Sequence, residues 1–102
     1  MPHMDTFAVV LTHNRPALLR QTVDAIGPQV DLVIVIDNAS EPPVDHHDLD
    51  GEGRRVCVLN VHDQPPNLAE LWQLGIDVAE KYRLHTAETP VERESSWRIA
   101  FL

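Results

Sequence analysis

The sequence predicts an α/β domain built on a parallel sheet, and three observations carry that prediction. Phe7-Ala-Val-Val-Leu11, Leu32-Val-Ile-Val-Ile36 and Val56-Cys-Val-Leu59 are short, continuous apolar runs. Such runs are the pattern of strands buried on both faces, not the alternation of a sheet with one wet side. Residues 16–26 and 68–82 repeat apolar side chains at helical spacing. Small and polar residues crowd the carboxyl ends of the first two runs, where open α/β sheets place their ligands.

Each element follows from its local chemistry. The first strand is Phe7–Leu11. Asn14 is positioned to cap a helix by accepting from its first amides, and Pro16 fits the first turn, where a missing N–H is harmless. Leu19, Val23 and Ile26 give that helix one apolar face, and Gly27-Pro28 ends it, glycine as a left-handed cap and proline as a stop. Leu32–Ile36 is the second strand and completes a βαβ unit. Residues 41–55 carry Pro42-Pro43 and an acidic, glycine-containing stretch, and read as an exposed loop. Val56–Val61 is the third strand. Asn67, with Glu70 three residues on, resembles a capping box that opens a second helix. Its apolar face runs through Leu68, Leu71, Trp72, Gly75, Ile76, Ala79 and Tyr82. Gly75 costs about 1 kcal/mol against alanine in mid-helix, so a close approach by another group should explain it. Residues 85–96 read as a loop, and Trp97–Leu102 as the fourth strand.

The bulk numbers narrow the class. A chain of 102 residues is one domain. Its net charge of −8 excludes a general nucleic-acid binder and a polybasic membrane anchor. A single cysteine, Cys57, forms no internal disulfide and sits among apolar neighbours as a small core residue. No apolar run approaches the roughly 20 residues of a membrane span, and the first residues lack the pattern of a secretory signal. These features lead us to expect a cytoplasmic protein.

The groups that can carry chemistry gather at one edge. If the first two strands are parallel neighbours, Thr12-His13-Asn14-Arg15 and Asp37-Asn38-Ala39-Ser40 emerge side by side. They would offer hydrogen bonds to a base and ribose, and Arg15 with a helix start to a phosphate. The alternative is that Asn14 and Ser40 only cap and turn while Asp37 is solvated. His46 and His47, among Asp45, Asp48 and Asp50, hint at a metal. Adjacent histidines in an extended loop point apart, however, and lack the spacing of strong zinc motifs. The chain contains no Gly-x-Gly-x-x-Gly, no P-loop and no Gly-x-Ser-x-Gly. Trp72 and Trp97 read as core.

Three stretches resemble the family 2 glycosyltransferases of the GT-A fold. Phe7-Ala-Val-Val-Leu-Thr-His-Asn-Arg-Pro-Ala-Leu-Leu is similar to that family's opening strand and helix. Leu32-Val-Ile-Val-Ile-Asp-Asn-Ala-Ser is similar to its second strand, which ends in Val-Asp-Asn/Asp-Gly/Ala-Ser. Pro66-Asn-Leu-Ala-Glu-Leu-Trp-Gln-Leu-Gly-Ile is similar to a later helix, with Gln73 where Asn is common and Pro65-Pro66 in place of the usual glycine region. The resemblance implies a Rossmann-like GT-A half-domain with a mainly parallel four-stranded sheet in the order 3-2-1-4. It implies a nucleotide-diphospho-sugar ligand of the UDP or GDP type, bound by Thr12, His13, Arg15, Asp37 and Asn38, with Gln64 and Asn67 lining the same pocket.

In the family, the fourth strand runs into Asp-x-Asp, which holds Mg²⁺ or Mn²⁺ against the diphosphate. Here the sequence ends at Phe101-Leu102, where that motif is expected next. The reading is therefore of an amino-terminal, nucleotide-binding portion that holds no metal and is inactive alone. Two alternatives stand beside it. One is a structural module of the same fold that pairs through its exposed fourth strand, as a homodimer or with a second chain completing the sheet. The other, a receiver- or flavodoxin-like domain, explains acids at strand ends but not Thr12-His13-Asn14-Arg15-Pro16.

Overall fold

A computed structural model describes residues 6–51, 53–62, 67–86 and 98–101. The elements run β1 (Thr6–Thr12), α1 (Pro16–Ile26), a 3-10 turn (Gly27–Gln29), β2 (Leu32–Asn38), a second 3-10 turn (His46–Leu49), β3 (Val56–Val61), α2 (Leu68–Thr86) and β4 (Arg98–Phe101). The four strands are all parallel, in the order β3-β2-β1-β4. This is the order expected from the family resemblance, and the architecture is Rossmann-like. The predicted strand at Trp97 lies outside the described residues at its first position. None of the described helices is long and apolar enough to cross a membrane.

The strand period of two splits the core into halves. Val33 and Val35 of β2 join Val10, Leu19 and Val23 on the α1 face, where Leu49 also packs. Leu32, Ile34 and Ile36 join Phe7, Val9, Leu71 and Ala79 on the α2 face. Every residue of β2 is buried, as a central strand with a continuous apolar run requires. Trp72 packs on the α2-face core, and so does half-buried Cys57. Cys57 has a polar neighbour that its flanking sequence does not reveal. The thiol lies against the Tyr82 hydroxyl and, ahead of burial, holds that phenol above its usual range.

Gly75 sits where α2 crosses β1. A Cβ there would lie 2.5 Å from Val9 Cγ1. Close packing on a strand side chain, not a ligand, is thus what the glycine permits.

Two helix caps differ from the sequence expectation. Asn14 does not cap α1. The cap position is Arg15, with no side-chain hydrogen bond, while Asn14 takes a left-handed conformation (φ 51°). The reason is competition: the Asn14 side chain accepts the Glu41 amide at 2.7 Å and so ties β1's end to β2's. Gly27 is right-handed (φ −50°) and continues into the 3-10 turn with Pro28. Its value is space, since a Cβ would stand 2.9 Å from Arg54 Cδ.

The 41–55 loop is also more ordered than its composition suggests. Leu49 is a buried hook in the α1-face core. Arg54, whose side chain is only 7% exposed, donates to the Leu49 carbonyl at 2.8 Å and to Asp24 at 2.5 Å.

Candidate functional site

Parallel pairing brings Thr12 opposite Asp37, so the ends of β1 and β2 leave the sheet together. The backbone must then turn sharply at both places. Asn14 and Ala39 each adopt positive φ (51° and 59°), a region that non-glycine residues enter rarely. The turns are laced to each other. The Asn14 amide donates to Ser40 Oγ at 2.9 Å, and the Ala39 amide donates to the Val61 carbonyl on β3 at 2.8 Å. Asn14 and Ser40 therefore serve the turns, although neither caps α1.

Asp37 is at the heart of this lacing. It is 1% exposed, not solvated. Oδ1 accepts the Ser40 amide at 3.1 Å; Oδ2 accepts the Val44 amide at 2.9 Å and Asn60 Nδ2 at 2.8 Å. Burial pushes this carboxyl up. Donation from the Ser40 hydroxyl, the Val44 amide, Asn60 and the Ser40 amide outweighs burial and holds it below the usual carboxylate range. The acid stays charged because loop donors surround it. It pins residues 40–44 over the end of the sheet.

His13 is tied in the same way. Nδ1–H donates to the Asn38 carbonyl at 2.5 Å, and Nε2 accepts from Asn14 Nδ2 at 3.2 Å. One tautomer satisfies both contacts. With both nitrogens engaged, the ring has its faces and carbon edge left to offer a ligand.

On the other side of these turns lies a cavity of about 750 Å³, within the size range of small-molecule sites. Thr12, His13, Arg15 and Asn38 line it together. Its apolar walls come from both helices, Leu18 and Leu19 of α1 and Leu68 and Leu71 of α2. Leu18 and Leu68 are 53% and 60% exposed, so two leucines flank an open polar edge. Arg15 immediately precedes α1, whose first amides lack intrahelical partners. The cavity thus combines a cation, a helix start, hydroxyl and amide groups and apolar walls.

Four of the seven residues singled out in the sequence, Thr12, His13, Arg15 and Asn38, share this cavity. Asp37 does not line it and is engaged by loop donors and Asn60. Asn67 is placed at the start of α2, where its Oδ1 accepts the Glu70 amide at 3.2 Å as the capping pattern predicts. It adjoins the wall residue Leu68. Gln64 lies outside the described residues. Leu18 and Asn60 were not singled out in the sequence, and Leu68, expected on the apolar face of α2, instead stands exposed at the cavity. Leu18 falls off the Leu19–Val23–Ile26 stripe, and an apolar residue off the buried stripe was the available signal. Asn60 is a polar residue inside an otherwise apolar strand, a signal of the same kind. No family model, curated protein or solved structure matches this chain.

Proposed function

We propose that this chain is a nucleotide-diphospho-sugar-binding domain of the family 2 glycosyltransferase type. The single observation that carries the reading is the convergence of Thr12, His13, Arg15 and Asn38 on one cavity at the carboxyl edge of a parallel 3-2-1-4 sheet. A nucleoside diphosphate suits such a cavity. Its base is flat and apolar on its faces, matching the His13 ring and the leucines. Its ribose is rich in hydroxyls, matching Thr12 and Asn38. Its diphosphate is anionic, matching Arg15 and the start of α1. In this reading Asp37 is a positioning residue that holds the turn against which Asn38 is presented.

The Mg²⁺ or Mn²⁺ that the resemblance implies does not fit the cavity's described lining. Such ions want several carboxylate or carbonyl oxygens, and none of these lining residues is acidic. The reading is therefore of binding by this chain's own donors. In a complete family enzyme, the bound nucleotide sugar would be the donor in sugar transfer.

Calorimetric titration of UDP and GDP into the purified chain tests the proposal. We expect one site per chain for one of the two, weakened about tenfold in Arg15→Ala, the worth of one charge-assisted hydrogen bond. Absence of heat with both nucleotides would defeat it.

The second reading, assembly through β4, draws on that strand's place at one end of the sheet. Light scattering would return a concentration-independent monomer if it is wrong.

A further inference from the structure

We propose that Asp45, His46 and His47 form a binding site for a first-row divalent transition metal ion, with zinc the best chemical match. The sequence reading set these histidines in an extended loop with side chains pointing apart. They instead open a 3-10 turn, His46–Leu49, with Asp45 at its cap. That turn swings the two rings to one side, their centroids 4.0 Å apart.

The ligand atoms are spaced for an ion. In a tetrahedral shell with metal–ligand distances of about 2.0–2.1 Å, two ligand atoms lie roughly 3.3–3.4 Å apart. Asp45 Oδ1 stands 3.6 Å from His46 Nδ1 and hydrogen-bonds His47 Nδ1 at 3.0 Å, a bond whose proton an ion would replace. One ligand atom from each of the three residues falls within 4.8 Å of the others. The imidazoles are exposed, so small ring rotations close the remaining gap. The set is two imidazoles and one carboxylate, which favours zinc and its neighbours over Mg²⁺ or Ca²⁺.

The scaffold beneath the ligands is already fixed. Asp45 Oδ1 accepts the His47 amide at 3.0 Å, which orients the carboxylate as an outer-shell partner does in metal sites. The Asp48 amide donates to the Asp45 carbonyl at 3.0 Å and closes the turn. Upstream, Val44 is held at both ends of its peptide, by Asp37 at 2.9 Å and by Asn60 at 3.1 Å. Downstream, Leu49 is buried in the α1-face core. The tripod thus stands on a pinned turn. Three protein ligands leave a coordination position open to water. A cleft of about 310 Å³, bounded by Asp45, His46, Val58 and Asn60, adjoins it. This cleft shares no lining residue with the cavity at the end of β1, so metal binding and nucleotide binding stand or fall separately.

Zinc chloride titrated calorimetrically into the full, tag-free chain is the test, with cobalt(II) visible absorption as a second readout of ligation. The wild-type chain should take up one ion with micromolar affinity. Asp45→Asn should weaken it about tenfold or more, and the His46→Ala/His47→Ala pair should abolish saturable uptake and the cobalt spectrum. His62→Ala should bind like the wild type. Far-UV circular dichroism should show all variants folded, since the three side chains are exposed. Undiminished binding by the double variant would overturn the proposal, as would a wild-type chain without saturable uptake at millimolar zinc.

Discussion

The neighbouring ends of β1 and β2 carry similar residues and use them in opposite ways. At the end of β2, Asp37 turns inward and meets loop amides, a hydroxyl and Asn60. At the end of β1, Thr12 and Arg15 face a cavity. Asn38 and His13 bridge the two, joined through a backbone carbonyl while both line the cavity. A polar residue at a strand end is thus not a ligand group by position alone. What decides is whether donors from its own loop have already filled it.

The largest expected effect breaks the β2 side. Asp37→Ala strands the Val44 and Ser40 amides and removes one of Asn60's two acceptors, and should cost about 3 kcal/mol in urea unfolding. The same carboxylate predicts an acid limb. Its folded pKa is lowered, so its stabilisation is full above the unfolded value of about 3.9 and is lost as pH falls through the lower folded value. Unfolding free energies measured across that acidic range should fall steeply in the wild type. They should be flatter in Asp37→Ala.

Next comes the seat of β1. Gly75→Ala pushes a methyl into Val9 and should destabilise by about 1–2 kcal/mol despite alanine's better helix propensity. The Gly75→Ala/Val9→Ala pair should recover part of that loss in the same unfolding assay. Arg15→Ala probes the β1 side alone. It should weaken nucleotide binding about tenfold and leave stability within about 0.5 kcal/mol. A comparable loss of both would erase the contrast between the two strand ends. The smallest effect sharpens the shared turn. Ala39→Gly relieves a left-handed alanine (φ 59°) and should stabilise by up to about 1 kcal/mol by thermal unfolding.

Much of this was readable beforehand because it rests on local pattern. The apolar runs 7–11 and 32–36, with a helix stripe between, leave few arrangements other than parallel strands packed on both faces. The order 3-2-1-4 came from resemblance to known sequences, not from the runs themselves. The site was partly legible for the same reason. Thr12, Arg15 and Asn38 lie at strand ends, and topology brought those ends together.

The misreadings concern long-range partners. Nothing in Asn14's neighbourhood shows that the amide of Glu41 will claim its side chain. Nothing near Asp37 shows that Val44 and Asn60 will converge on its carboxylate. His46 and His47 diverge only in an extended loop, and the chain here forms a 3-10 turn. The 3-10 turn depends on Leu49 finding the core and Arg54 holding its carbonyl, contacts made across the fold.

In the proposed function the β1 end, not the β2 loop, meets a nucleotide. The most direct test is amide NMR of the labelled chain titrated with UDP and then GDP. One of the two should move the resonances of Thr12, His13, Arg15 and Asn38 together with those of Leu68 and Leu71, leaving Asp45 to His47 in place. Shifts confined to residues 43–50, or none with either nucleotide at millimolar concentration, would contradict it.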